Sequence, residues 1–155
     1  MTNSSLRAIL AAGVLGFAMV GGSQAQTSSG VPLAIRAGDP TLRWGPCPPI
    51  FPKGCEIAVL HGDPAQPNAD VFLRVRGGQQ LPAHTHTSAE RMILVSGHLR
   101  VKYKGVAAAT LTPGMYAYGP AGSPHEASCL GRQSCTLFIA FEGPVDANGF
   151  TGSLD

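Results

Sequence analysis

The chain has 155 residues, 44% of them hydrophobic and 13% charged, with a formal net charge of +2. That length suits one modest globular domain. Lysine and arginine form no run that could follow a phosphate backbone, and no aromatic-rich basic patch accompanies them, so a nucleic-acid partner is excluded.

The amino terminus stands apart. Met1 to Arg7 is polar with one positive side chain, Ala8 to Val20 is apolar, and Gly21-Gly22 leads into Ser23-Gln24-Ala25. Residues 1–25 therefore read as a secretory signal peptide cleaved after Ala25. The apolar run is shorter than the ~20 residues of a spanning helix, so no stable membrane insertion is expected after processing. No Arg-Arg pair precedes it, which argues for export of the unfolded chain to the periplasm or the exterior.

Four cysteines follow, at 47, 55, 129 and 135. In an exported protein an even count reads as disulfides. Of the possible pairings, Cys47–Cys55 and Cys129–Cys135 are favoured because each closes a short local loop. A zinc site built from all four is the alternative, but it lacks the usual C-x-x-C spacing.

Residues 26–55 read as an N-terminal arm followed by a Pro-rich, disulfide-closed loop. The prolines at 46, 48, 49 and 52 fix φ and remove donors, so no helix can form there. Trp44 reads as a packing anchor, with a pocket cover as the alternative. Glu56–Leu60 is a short strand ended by a turn at His61-Gly62-Asp63-Pro64. In Val71–Arg76, Val71, Leu73 and Val75 make one apolar face, and Arg74 and Arg76 either guide an anionic substrate or form a solvated face.

After Gly77-Gly78 comes His84-Thr85-His86, where strand alternation puts both imidazoles on one side. Glu90 opens a β-rich run to Val95, Ser96-Gly97 signals a tight turn, and Leu99–Tyr103 is expected to return as a hairpin partner. Val106–Leu111 reads as a strand or a short helix, Met115–Tyr118 as a strand, and 119–124 as a loop delivering His125. Cys129 and Cys135 read as the staple of a hairpin tip. Thr136–Phe141 is the most apolar strand, with Phe72, Phe138 and Phe141 as pocket or packing residues. Residues 144–155 carry no periodicity and read as a loose C-terminal tail.

No stretch after the leader has the pattern of a three-turn amphipathic helix. Roughly eight short strands divided by Gly and Pro signals indicate an all-β fold, an antiparallel sandwich or barrel spanning 56–143.

Two histidine-bearing stretches resemble the paired motifs of the cupin superfamily. Gly78, His84, His86, Glu90 and Gly97 fit the first, which reads G, five residues, H-x-H, three or four residues, E, six residues, G. Gly114, Pro120, Gly122 and His125 fit the second, and Cys129 stands where that motif ends in asparagine. The resemblance implies a single jelly-roll β-barrel in which His84, His86, Glu90 and His125 converge on one divalent transition metal. It also implies a single-domain cupin of a kind that often forms homodimers through an edge strand. His61 and His98 fall outside both motifs.

Three imidazoles and one carboxylate suit manganese, iron, nickel, copper or zinc, and on a six-coordinate ion they leave two positions for a small-molecule substrate or oxygen. Glu90 favours turnover, since it lowers the net charge of a bound ion. The leading expectation is a dioxygenase-type oxidoreductase acting on an enol, phenol or similar chelating substrate. The alternatives are a non-oxidative lyase or isomerase, in which a base moves a proton beside a Lewis-acidic ion, and a binding protein without turnover. No Ser-His-Asp pattern or phosphate-cradling glycine loop is present, so hydrolase and nucleotide readings are excluded.

Overall fold

The structure, a computed structural model, describes residues 30–155, so the expected signal peptide lies outside the described residues. The fold is all-β, as expected. β1 (Gly45–Pro46), β2 (Cys55–His61), β3 (Asp70–Val75), β10 (Cys135–Phe141), β5 (Glu90–Ser96) and β8 (Tyr116–Gly119) form one antiparallel sheet in that order. The second sheet runs β11 (Asn148–Gly149), β4 (Gln80–Thr85), β9 (His125–Cys129), β6 (Leu99–Tyr103) and β7 (Ala109–Leu111).

Each sheet turns alternate side chains inward, and these interdigitate as the core. β10 contributes Leu137, Ile139 and Phe141, and β5 contributes Met92 and Leu94, while Leu99, Val101 and Ala127 answer from the second sheet. Glu90 has the same parity as Met92 and Leu94, so strand period alone sends its carboxylate inside. The same rule turns His125 inward with Ala127 and Cys129.

β4 needs a correction to that period. Leu81 pairs with Ala127, yet His84 pairs with His125, so three residues on β4 answer two on β9. This bulge over Pro82-Ala83 reverses the parity after Leu81, and His84 and His86 face the interior instead of solvent. Proline is tolerated there because a bulge leaves a backbone amide out of the ladder.

Two expected hairpins are absent. β5 pairs with β10 and β8, whereas β6 pairs with β9 and β7, so the chain crosses from one sheet to the other at Gly97. Gly97 has φ of 86°, and a Cβ there would stand 2.8 Å from the Cys135 Cα, which only glycine avoids. β9 and β10 likewise lie in different sheets. The Cys129–Cys135 bond therefore ties sheet to sheet, with both cysteines fully buried, and does not staple a hairpin tip. The second disulfide joins Cys47 to Cys55, as the sequence suggested.

The tail is docked, not loose. β11 pairs with Thr85 and His84, the Phe150 amide donates to the Ala83 carbonyl, Leu154 is buried, and Lys102 pairs with Asp155. In the run 106–111 only Ala109–Leu111 is strand. Arg74 lies 3.9 Å from the Trp44 ring and 2.8 Å from a Glu56 carboxylate oxygen, so Arg74 is already paired, and Trp44, half-buried, packs on it at the wall of a surface pocket. Among the described residues no helix is long and apolar enough to cross a membrane.

Candidate metal centre

The bulge on β4, the inward parity of β5 and the start of β9 bring His84, His86, Glu90 and His125 together. All four are buried, at 3%, 8%, 3% and 5% exposure. One ligand nitrogen from each histidine lies within 4.8 Å of the others, a spacing at which the three could hold one ion. Glu90 stands beside them, with Oε1 3.3 Å from His125 Nε2 and Oε2 3.6 Å from His86 Nε2. His61 and His98 are exposed and lie outside the group.

Backbone carbonyls orient all three rings. His84 Nδ1 donates to the Pro82 carbonyl at 2.7 Å, His125 Nδ1 to the Ser123 carbonyl at 3.0 Å, and His86 Nδ1 to the Asp146 carbonyl. A neutral imidazole that gives its one proton at Nδ1 presents a bare lone pair at Nε2. Both histidines whose pKa moves are held neutral. Burial drives His84 down to about 3, with the neighbouring His125 adding to it, and burial drives His125 down to about 4.

Glu90 faces the three histidines. Its buried Oε1 accepts nothing from the facing His125 Nε2 atom, which has no proton to give. A buried carboxylate beside bare lone pairs is costly, and converging lone pairs repel each other. A divalent cation removes both penalties, so these residues fit a metal.

Sequence reasoning missed one contributor, Tyr103. The Tyr103 ring packs 4.8 Å from the His125 ring, and its buried hydroxyl faces the Glu90 carboxyl. Tyr103 Oη and Glu90 Oε1 meet over Gly119, where a Cβ would stand 2.8 Å from the first and 2.7 Å from the second. Burial raises the pKa of Glu90, and burial followed by the Glu90 charge raises that of Tyr103. The only signal for Tyr103 was its inward parity with Leu99 and Val101 on β6.

A cavity of about 60 Å³ adjoins the histidines. Phe51 roofs it from the Cys47–Cys55 loop, edge-on to His84 with ring centroids 4.8 Å apart. The docked tail adds Val145, Asp146 and Ala147 to the wall, and Phe141 packs 5.6 Å from the His86 ring.

A two-sheet barrel with this inward-facing histidine and glutamate set defines a small single-domain cupin. The ChrR cupin-like domain model matches residues 36–146, and the chain belongs to that family. No curated protein sequence matches it. Among solved structures it is similar to one from work on the DMSP lyases RdDddP and RnDddQII, with 18% identity, a TM-score of 0.62, and coverage of 71% of this chain and 63% of that one. DMSP lyase DddQ from Ruegeria pomeroyi gives 18% identity and a TM-score of 0.58, covering 68% of this chain and 58% of that one. An RmlC-like cupin from Shewanella frigidimarina gives 20% and 0.56, covering 68% and 86%. The chain thus spans less than two thirds of the two lyase-associated structures, and at these identities the likeness is one of fold.

Proposed function

We propose that this protein is a metal-dependent enzyme for a small molecule, with His84, His86, His125 and Glu90 as ligands and non-oxidative proton transfer, of lyase or isomerase type, as its reaction. One observation carries the choice of reaction. Glu90 Oε1 and Tyr103 Oη are both buried and stand together beside Gly119. A carboxyl held against a neutral phenol is placed to take a proton from a substrate and give it back, which a purely structural carboxylate ligand would not need.

A bound divalent ion would supply Lewis acidity toward a substrate oxygen. The chain does the rest. Neutral His84 and His125 bind the ion without competing protons, and the apolar wall excludes water. Glu90 is the catalytic group, taking a proton from the substrate at its carboxylate and returning it, while Tyr103 behind it stays a neutral phenol that donates to the carboxylate and positions it. The lyase names among similar folds agree with this reading.

Dioxygenase chemistry is the second reading. It rests on the donor set, since four protein atoms leave two positions on a six-coordinate ion for a chelating substrate and oxygen. Turnover of short β-substituted acids and small enols, followed with and without oxygen, separates the readings. Undiminished product formation under anaerobic conditions supports proton transfer, one oxygen consumed per product supports the dioxygenase, and metal binding without any turnover refutes both.

The two disulfides support an exported protein. Exposed Ile93, Val95, Tyr116 and Tyr118 on β5 and on the edge strand β8 support a homodimer formed there.

A further inference from the structure

The cavity wall carries information about what fits beside the ion. Its volume is about 60 Å³. A single water needs roughly 10–15 Å³ of cavity, so the space suits a small molecule of a few non-hydrogen atoms and not a long chain.

Its chemistry is equally narrow. Among the described residues that line it, the polar ones are the three histidines, Glu90 and Asp146. The histidine Nδ1 atoms are spent on carbonyls. The Asp146 carboxylate already accepts two bonds, Oδ1 from the Thr87 amide at 3.0 Å and Oδ2 from the Asn148 side chain at 3.2 Å, and has no proton to donate. Every other lining side chain is hydrocarbon, proline or methionine, among them Phe51, Leu73, Leu81, Met92 and Leu137. No lysine, arginine, serine, threonine, asparagine or glutamine among the described residues reaches this wall.

We infer that the substrate is a short, single-headed molecule, one anionic oxygen group bound to a hydrocarbon body of a few carbons. This rests on the metal-dependent function proposed above and deepens it. The head has one place to go, toward the ion. A hydroxyl on the body would find no donor and only the carboxylates of Glu90 and Asp146 to give its proton to, and a second carboxylate would face those two with no cation beside it. Sugars, uronates and dicarboxylates are thereby excluded by the wall itself. Length is set by Phe51, whose ring closes the roof over His84.

The test uses the full mature protein loaded with zinc, with binding measured by calorimetry for butyrate, 4-hydroxybutyrate, succinate and decanoate. Butyrate binds, 4-hydroxybutyrate and succinate bind roughly ten- to hundredfold more weakly, and decanoate does not bind. Phe51→Ala, which opens the roof, admits decanoate and retains butyrate. Succinate or 4-hydroxybutyrate binding as tightly as butyrate, decanoate binding to the unaltered protein, or no binding of any acid to the zinc-loaded protein overturns the inference. A protein that takes up no zinc refutes the underlying metal function instead, so the two failures are distinguishable.

Discussion

Glu90 Oε1 lies 3.3 Å from His125 Nε2, joining the first residue of β5 in one sheet to the first residue of β9 in the other. The contact crosses the barrel, and neither strand alone could make it. It also couples the donor set to packing, because Tyr103 presses on the His125 ring while its hydroxyl meets Glu90.

That coupling predicts the outcome of Tyr103→Phe. The hydroxyl faces the Glu90 carboxyl, so its loss removes one buried hydrogen bond and lowers stability by about 1 kcal/mol. Metal content stays the same. If Tyr103 positions the Glu90 carboxylate for proton transfer, kcat falls by about 10²-fold with KM little altered. Steady-state kinetics together with a melting curve check this, and unchanged kcat removes Tyr103 from the reaction.

Acid should weaken the metal-free fold. Unfolded histidine binds a proton near its usual 6.5, whereas folded His84 and His125 resist until about 3 and about 4. Between those values the unfolded state holds more protons, so stability is present above 6.5 and is lost as pH falls toward 4. The raised pKa of Glu90 acts the opposite way above its usual 4.5, one proton against two, and the histidines set the net sign. The loss is on the order of several kcal/mol, measurable by urea denaturation of chelator-treated protein at pH 7, 5.5 and 4.5.

Gly97→Ala should be more damaging than Gly105→Ala. Both glycines have positive φ, 86° and 69°, but a Cβ at Gly105 meets nothing within 4 Å while one at Gly97 strikes the Cys135 backbone. The expected costs are about 1 kcal/mol at Gly105 and about 3 kcal/mol or more at Gly97. Thermal melts of the two variants check the difference, and equal shifts would show that Gly97 is not tightly packed.

The sequence carried the strands well where apolar and polar residues alternate, as in β6, or where an apolar run is bounded by turn residues, as in β5 and β10. It also carried the H-x-H grip and both disulfide pairings, because these depend on local spacing. Sheet partnership was less legible. Ser96-Gly97 looks the same whether the chain folds back as a hairpin or crosses to the other sheet, and contacts with Cys135 decide it. β9 was missed because His125–Cys129 reads HEASC, with no apolar run. The tail was misread because its hold on the centre is a backbone carbonyl at Asp146 and a short pairing at Asn148–Gly149, neither of which needs a particular side chain.

Metal content tests the central claim most directly. Elemental analysis of the protein purified from its native compartment should find one transition-metal ion per chain, lost in His84→Ala and His125→Ala and kept in His98→Ala. Protein that is folded, with both disulfides formed, yet holds no stoichiometric metal would contradict the account, as would loss of the metal in His98→Ala.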